Sequence, residues 1–132
     1  MISVSGLRKA YGDNLVLNGI DFEVAPGEIF ALLGPNGAGK TTTIEILEGY
    51  RRRDGGEVSV LGVDPAVATA RGAATDPVAR QWRDRIGIVL QGTGEFDELT
   101  VGEVVRHFAR FYPAPDDPAE VIDVDDVPDN KR

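Results

Sequence analysis

The 132 residues include no cysteine, are 42% hydrophobic and carry a formal net charge of −8. They are enough for one modest domain with a core, and the lack of cysteine excludes a disulfide framework and a thiolate zinc site. The acidic balance argues against nucleic acid as a partner. No apolar run reaches the roughly 18–20 residues that cross a bilayer, and no signal peptide is evident, so the sequence predicts a cytoplasmic protein.

Two strand-like stretches begin the chain. Residues 2–7 and 15–24 contain alternating or short apolar runs, separated by the turn-prone run Tyr11-Gly12-Asp13-Asn14. This pattern predicts an antiparallel hairpin or meander. Pro26-Gly27 makes the next turn, and residues 28–33 are apolar on both faces after the first residue, which is typical of a buried parallel strand.

The most specific motif follows directly: Gly34-Pro35-Asn36-Gly37-Ala38-Gly39-Lys40-Thr41. Glycines before a lysine and a hydroxyl residue, between a strand-like and a helix-like stretch, are typical of a phosphate-binding loop. The glycines let successive backbone N–H groups turn toward one anion, and the helix N-terminus adds its dipole. Lys40 is predicted to reach the β- and γ-phosphates of a nucleoside triphosphate, Thr41 to bind Mg²⁺, and Thr42 to donate to a phosphate.

A helix is predicted to follow the loop. Residues 41–50 place Ile44, Ile46 and Leu47 on the side expected to pack, and Gly49 marks the end of the helix. The prediction is therefore an apolar helix face built from these three side chains.

The middle of the chain alternates loops with short elements. Arg51-Arg52-Arg53 could form a nucleic-acid patch, but basic residues after a helix complement its exposed carbonyls, and this interpretation is favoured. Residues 57–61 are predicted to form a short strand, and 62–79 a loop with at most a short helical turn. Residues 77–85 read as a short charged helix, in which Trp82 is expected to pack rather than to bind.

A second buried strand is predicted at residues 86–90, with Gln91 at its C-terminal end, the edge of a parallel sheet where ligands bind. Thr100-Val101-Gly102-Glu103 has the spacing of a helix capping box. The helix that follows is predicted to end at Pro113, and its apolar face is formed by Val104, Val105, Phe108 and Phe111.

In this order the motifs resemble those of the ATP-binding cassette (ABC) transporter ATPases. The resemblance is carried by Tyr11, Pro26-Gly27-Glu28, residues 34–42, Gly55-Gly56, residues 86–91 and Leu99-Thr100-Val101-Gly102-Glu103. It implies an α/β P-loop NTPase fold, with an ABC-ATPase-like mixed sheet and an N-terminal antiparallel β portion, truncated before the signature motif and the Walker B strand. Residues 1–113 would be the N-terminal part of the nucleotide-binding domain, and 114–132 an acidic tail that starts an incomplete helical region.

Three further site residues follow from this resemblance. Tyr11 matches the aromatic residue that stacks on adenine in the family, although an ordinary strand-end tyrosine is the alternative. Val16 either packs beside the base or belongs to the core. Gln91 matches the family's Q-loop glutamine, whose amide touches magnesium or the attacking water, so it is predicted as a catalytic and metal-binding residue beside Lys40 and Thr41.

The resemblance also implies a function, ligands and partners. The chain would be the ATP-binding subunit of an ABC transporter. It would bind ATP and Mg²⁺ and would lie on the inner face of the membrane. Its partners would be a membrane-spanning transporter subunit and a second nucleotide-binding domain, in a homo- or heterodimer. Details of the phosphate loop resemble drug-export members of the family.

The family's later motifs lead to two alternatives. The Walker B carboxylates, the signature and the switch histidine have no recognisable counterpart in these 132 residues, which argues against ATP turnover by this chain alone. One alternative is therefore a truncated, noncatalytic nucleotide-binding module. The other is an incomplete product without an independent role.

Overall fold

The computed structural model describes residues 1–71, 73–89, 99–111 and 114–124. The strands are β1 (Ile2–Tyr11), β2 (Asn14–Val24) and β3 (Gly55–Val60). The helices are α1 (Lys40–Leu47), α2 (Ala66–Thr69), α3 (Pro77–Arg83), α4 (Val101–Ala109) and α5 (Pro118–Val124). The chain divides into two compact units, Met1–Ile88 and Val89–Arg132. Among the described residues, no helix is long and apolar enough to cross a membrane.

The three strands form one antiparallel sheet in the order β2-β1-β3. The predicted hairpin is confirmed, with Tyr11 paired to Asn14 across a two-residue loop. Gly12 has a φ of 58°, and glycine at the first position of such a loop suits the twist of the flanking strands. The predicted return strand is confirmed as β3, which pairs with the other edge of β1.

The core of the first unit lies between one face of the sheet and helices α1 and α3. Its buried side chains are Val4, Leu7, Leu17, Ile46, Val58, Val60 and Trp82. Trp82 is 1% exposed, and its indole N–H donates to the Val60 carbonyl at 3.0 Å. The prediction that Trp82 is a packing residue is therefore confirmed.

The two predicted parallel strands are not formed in the described residues. Residues 28–33 have no strand pairing, and Ile29 and Leu33 are 98% and 88% exposed. Residues 86–89 are likewise outside the sheet, and Val89 is 97% exposed; Leu90 lies outside the described residues. A parallel strand needs a hydrogen-bonded neighbour and cover on both faces, and the described part of the chain supplies neither to these segments.

Helix α1 packs through Ile46 and Leu47 as predicted, but Thr43 takes the place predicted for Ile44. Ile46 is buried at 1% exposure and Leu47 is half-buried, but Ile44 is 42% exposed and Thr43 takes the second buried position. Residues three apart share a helix face, so Thr43 and Ile46 pack together. The Thr43 hydroxyl donates to the Gly39 carbonyl at 3.0 Å, which satisfies its polar group and permits burial.

In the second unit the predicted capping box is confirmed. The Thr100 hydroxyl accepts from the Glu103 backbone N–H, and the Glu103 carboxylate accepts from the Thr100 N–H at 2.8 Å. Phe108 and Phe111 on the apolar side remain 44% and 65% exposed. The predicted helix end at Pro113 lies outside the described residues.

The arginine run after α1 makes ion pairs within the chain. Arg51 forms a salt bridge with Glu45 at 2.5 Å, and Arg53 forms a bidentate salt bridge with Asp64 at 2.7 and 2.8 Å. The expected interaction with the last helix carbonyls is wrong, because α1 ends at Leu47 and its last turn holds no basic residue. Arg51 therefore binds a carboxylate of α1 and Arg53 one that follows β3.

The Arg53–Asp64 pair predicts a pH-dependent contribution to stability. The hydrogen bond from Arg53 holds the pKa of Asp64 below its ordinary value of 3.8. Since the folded pKa is depressed, the stabilisation is fully present above that value and is lost as the pH falls through the folded pKa. We expect Asp64→Asn to lower the free energy of unfolding by about 1 kcal/mol at neutral pH.

Denaturant unfolding at neutral pH and at about pH 3 checks this expectation, because the difference from wild type should shrink in acid. Glu23→Gln, which removes an exposed carboxylate from β2, is the matched control. An equal difference at both pH values would contradict the assigned role of the Asp64 carboxylate.

Candidate phosphate-binding site

The glycine loop leads directly into helix α1, whose N-terminus is open. Gly39 precedes the helix in the left-handed conformation, with φ 82° and ψ 8°, and no side chain among the described residues caps this end. The first helical bond runs from the Thr43 N–H to the Gly39 carbonyl at 2.8 Å. The first-turn N–H groups and the positive end of the helix dipole therefore suit an anion.

Lys40 folds back over the loop that precedes it. Its ammonium donates to the carbonyls of Gly34 and Pro35 at 2.7 and 2.8 Å. A turn closed by the Ala38 N–H on the Pro35 carbonyl at 3.2 Å shapes the same segment. The loop therefore holds a positive charge beside the open end of α1, which is the charge that a phosphate requires.

The three threonines at the start of α1 have different surroundings. Thr41 is exposed, Thr42 is half-buried and Thr43 is buried. Thr41 thus offers a hydroxyl oxygen, a hard ligand that suits Mg²⁺. The described residues contain no group of three or more His, Cys, Asp or Glu side chains able to hold a metal, so a magnesium ion here would also need phosphate and water oxygens, which Mg²⁺ ordinarily keeps.

The loop rests on strand β2. A Cβ at Gly39 would lie 2.4 Å from a Leu17 methyl and 3.2 Å from a Val16 methyl, so only glycine permits this approach. Val16 is half-buried and also packs against the core. The structure therefore places Val16 both at the core and against the phosphate loop.

Tyr11 lies at the tip of the hairpin, near this contact. It pairs with Asn14, next to the pair Ala10–Leu15, so it is at the same end of the hairpin as Val16. Its side chain is 42% exposed. The structure therefore brings an accessible aromatic ring to the end of the hairpin on which the loop rests.

Asp54 ties the hairpin tip to the segment that follows α1. Its carboxylate accepts from the Lys9 ammonium and from the Ala10 N–H, each at 2.8 Å. These hydrogen bonds, that of Lys9 first, hold the pKa of Asp54 below its ordinary range. Because Asp54 follows the arginine run, this tie also brings Arg51 to the Tyr11 ring.

Two cationic groups therefore lie close to the Tyr11 ring. The Lys9 ammonium is 5.5 Å and the Arg51 guanidinium carbon 5.3 Å from the ring centroid. Sequence reasoning missed both groups. Lys9 could have been found, because residues two apart on a strand share a face, whereas Arg51 reaches the ring only through the fold. Gln91 lies outside the described residues.

An open helix N-terminus, a glycine loop and a lysine held over that loop define a phosphate-binding-loop protein. The family model described as ABC transporter matches residues 17–130. The chain therefore belongs to the ABC transporter family and, within it, to the ATP-binding proteins, which confirms the resemblance and the fold class.

Two relatives and one solved structure illustrate the relationship. Nod factor export ATP-binding protein I of Burkholderia pseudomallei is 41% identical over 111 residues, covering 84% of this chain and 33% of the relative. Ribose import ATP-binding protein RbsA of Geobacillus kaustophilus is 42% identical over 103 residues, covering 78% of this chain and 19% of the relative. A solved ATP-binding subunit of an ABC transporter matches with a TM-score of 0.60 and 28% identity, covering 86% of this chain and 43% of the solved one. The chain thus spans a third or less of the length of these curated relatives.

Proposed function

We propose that this chain binds Mg-ATP at residues 34–42 and, as the N-terminal part of an ATP-binding subunit, serves ATP-driven transport across a membrane. One observation carries the proposal: Lys40 is held over the loop carbonyls at 2.7 and 2.8 Å beside an N-terminus of α1 that no described side chain caps. Membership of the family supports the same ligand.

Different residues of the loop and of α1 would contact different parts of a bound triphosphate. The first-turn N–H groups of α1 would donate to phosphate oxygens, and Lys40 would exchange its carbonyl partners for a β- or γ-phosphate oxygen, a stronger acceptor because it is charged. Thr41 would hold Mg²⁺ and Thr42 would add a donor. Bound magnesium neutralises charge on the phosphate oxygens.

The base and switch sites complete the proposal. Tyr11 would stack on the base and Val16 would pack at its side, as supported by their shared position at the hairpin end beside the loop. Gln91 is proposed as the glutamine that senses magnesium or the attacking water. We propose that residues 1–113 form the nucleotide-binding part and that residues 114–132 begin a helical region.

The proposed partners follow from the family. A membrane-spanning subunit would hold the protein at the inner membrane face, and a second nucleotide-binding domain would close on the nucleotide. Relatives named for export and for import match at similar identity, 41% and 42%, so the direction of transport is no part of the proposal.

Replacing Lys40 tests the proposal. We expect Lys40→Ala to weaken Mg-ATP binding roughly 10- to 100-fold, because one charge-assisted contact to phosphate is lost. Isothermal titration calorimetry of the full chain measures the affinity, and Arg52→Ala, which removes an exposed cation from the same unit, is the control. Equal affinity in wild type and Lys40→Ala would contradict the proposed site.

Phosphate release measured on the same samples separates hydrolysis from binding. Release by wild type above the level of Lys40→Ala would support ATP hydrolysis by this chain. Binding without release would support the alternative of a noncatalytic nucleotide-binding module. Failure of wild type to bind Mg-ATP would contradict both functions.

A further inference from the structure

We propose that Arg51 forms the second wall of the base site, so that a base stacked on Tyr11 is covered on its other face by the Arg51 guanidinium. This inference rests on the proposed function, because it concerns the same nucleotide. It adds a specificity-determining residue that lies outside the phosphate loop.

The position of Arg51 over the ring is the first observation. Its guanidinium carbon lies 5.3 Å from the centroid of Tyr11, which is 42% exposed. The electron-rich ring face attracts a cation, and a guanidinium plane can also stack on an aromatic ring. A base that approaches Tyr11 therefore meets Arg51 at the same place.

Both walls are anchored from elsewhere in the fold. Arg51 is tied to Glu45 of α1 by its side chain at 2.5 Å and by its backbone N–H at 3.0 Å. Next to Tyr11, the Ala10 N–H and the Lys9 ammonium are both bound to Asp54 at 2.8 Å. These ties hold the two walls near each other before a ligand arrives, which reduces the ordering cost of binding.

The space needed for a base is small. A base between the two walls makes two stacking contacts of about 3.5 Å, or about 7 Å in all, whereas the Arg51 guanidinium carbon now lies 5.3 Å from the ring centroid. Arg51 must therefore move outward by about 2 Å or more. The Arg51 side chain is 38% exposed, which leaves it room to move outward. Lys9 lies at a similar distance but carries a point charge without a plane, so it contributes attraction and no stacking surface.

Arg51→Lys tests the inference because it keeps the positive charge beside Glu45 and removes the planar group. Affinity is measured by calorimetry for two Mg²⁺-loaded ligands, ATP and inorganic tripolyphosphate, which has the phosphates but no base. We expect Arg51→Lys to weaken ATP binding roughly two- to fivefold and to leave tripolyphosphate binding unchanged. Arg52→Lys, at the exposed neighbouring position, should change neither affinity.

A second background shows whether Arg51 acts together with Tyr11. In Tyr11→Ala the base loses its first wall, so adding Arg51→Lys should cost less than it does in wild type. Unchanged or tighter ATP binding by Arg51→Lys, or equal losses for both ligands, would overturn the inference while tripolyphosphate binding still supported the phosphate site. Failure of wild type to bind either ligand would overturn the phosphate site and this inference together.

Discussion

Gly39→Ala is expected to lower the free energy of unfolding by about 2–5 kcal/mol and to weaken triphosphate binding. The left-handed backbone costs an L-residue about 1–2 kcal/mol, and overpacking adds about 1–3 kcal/mol. The overpacking is specific, because the new Cβ would lie 2.4 Å from a Leu17 methyl. The loop or β2 must then shift, which moves the N–H groups that would hold phosphate.

Gly37→Ala is the matched control in the same loop. Gly37 has a φ of 85°, similar to the 82° of Gly39, but beyond its chain neighbours no described atom lies within 4 Å of its added Cβ. The control should therefore lose only the backbone component, about 1–2 kcal/mol. Urea unfolding followed by circular dichroism measures both variants, and equal losses would show that the contact with β2 contributes nothing.

Trp82→Ala is expected to lower the free energy of unfolding by about 3–5 kcal/mol, the usual cost of truncating a buried tryptophan. Trp82 is 1% exposed and joins α3 to the sheet through its hydrogen bond to Val60. This loss is a large part of the roughly 5–15 kcal/mol that stabilises a typical domain. We therefore expect partial unfolding at room temperature, measured by circular dichroism and chemical denaturation.

Trp82→Phe separates packing from hydrogen bonding at this position. Phenylalanine keeps most of the apolar contact and removes the indole N–H, but the Val60 carbonyl still accepts from the Val63 N–H at 3.1 Å. A smaller loss is therefore expected, about 1 kcal/mol. If Trp82→Phe were as unstable as Trp82→Ala, the hydrogen bond and not the packing would be the main contribution of Trp82.

Local signals in the sequence predicted the hairpin, the glycine loop that leads into α1 and the capping box of α4. Gly12-Asp13, between two stretches of alternating apolar residues, favours a tight turn. Thr100 and Glu103 hydrogen-bond to each other's backbone N–H groups at the start of their helix, and the two residues are only three positions apart. The phosphate loop is equally local, because its N–H groups belong to consecutive residues. In each case the atoms that interact are close together in the chain.

Residues 28–33 show where local reasoning was insufficient. Their apolar pattern is typical of a buried parallel strand, but such a strand exists only beside partners distant in sequence. In the described structure Phe30 instead stacks on Phe22 with ring centroids 5.1 Å apart. Together with Ile44 and Leu32, these two side chains line an apolar cavity of about 260 Å³. That cavity also explains why Ile44 of α1 is not in the core.

The base site combines local and distant contributions. Tyr11 could be proposed from its place before the second strand, but the sequence assigned Arg51 to the end of a helix. Its position over Tyr11 depends on the ties from Glu45 and Asp54, residues 34 and 43 positions after Tyr11. Contacts over such separations follow from the packing of α1 beside the hairpin, and no sequence motif predicts that packing.

The central claim, that the loop before α1 binds a triphosphate through its backbone, is tested most directly by observing its N–H groups. Amide proton and nitrogen shifts of the ¹⁵N-labelled chain would be recorded during titration with Mg-ATP. We expect the largest changes at Gly37 to Thr42, smaller ones at Tyr11, and much smaller changes at these amides in Lys40→Ala at the same subsaturating ATP concentrations. Changes absent from the loop, or spread evenly over the surface, would contradict the claim.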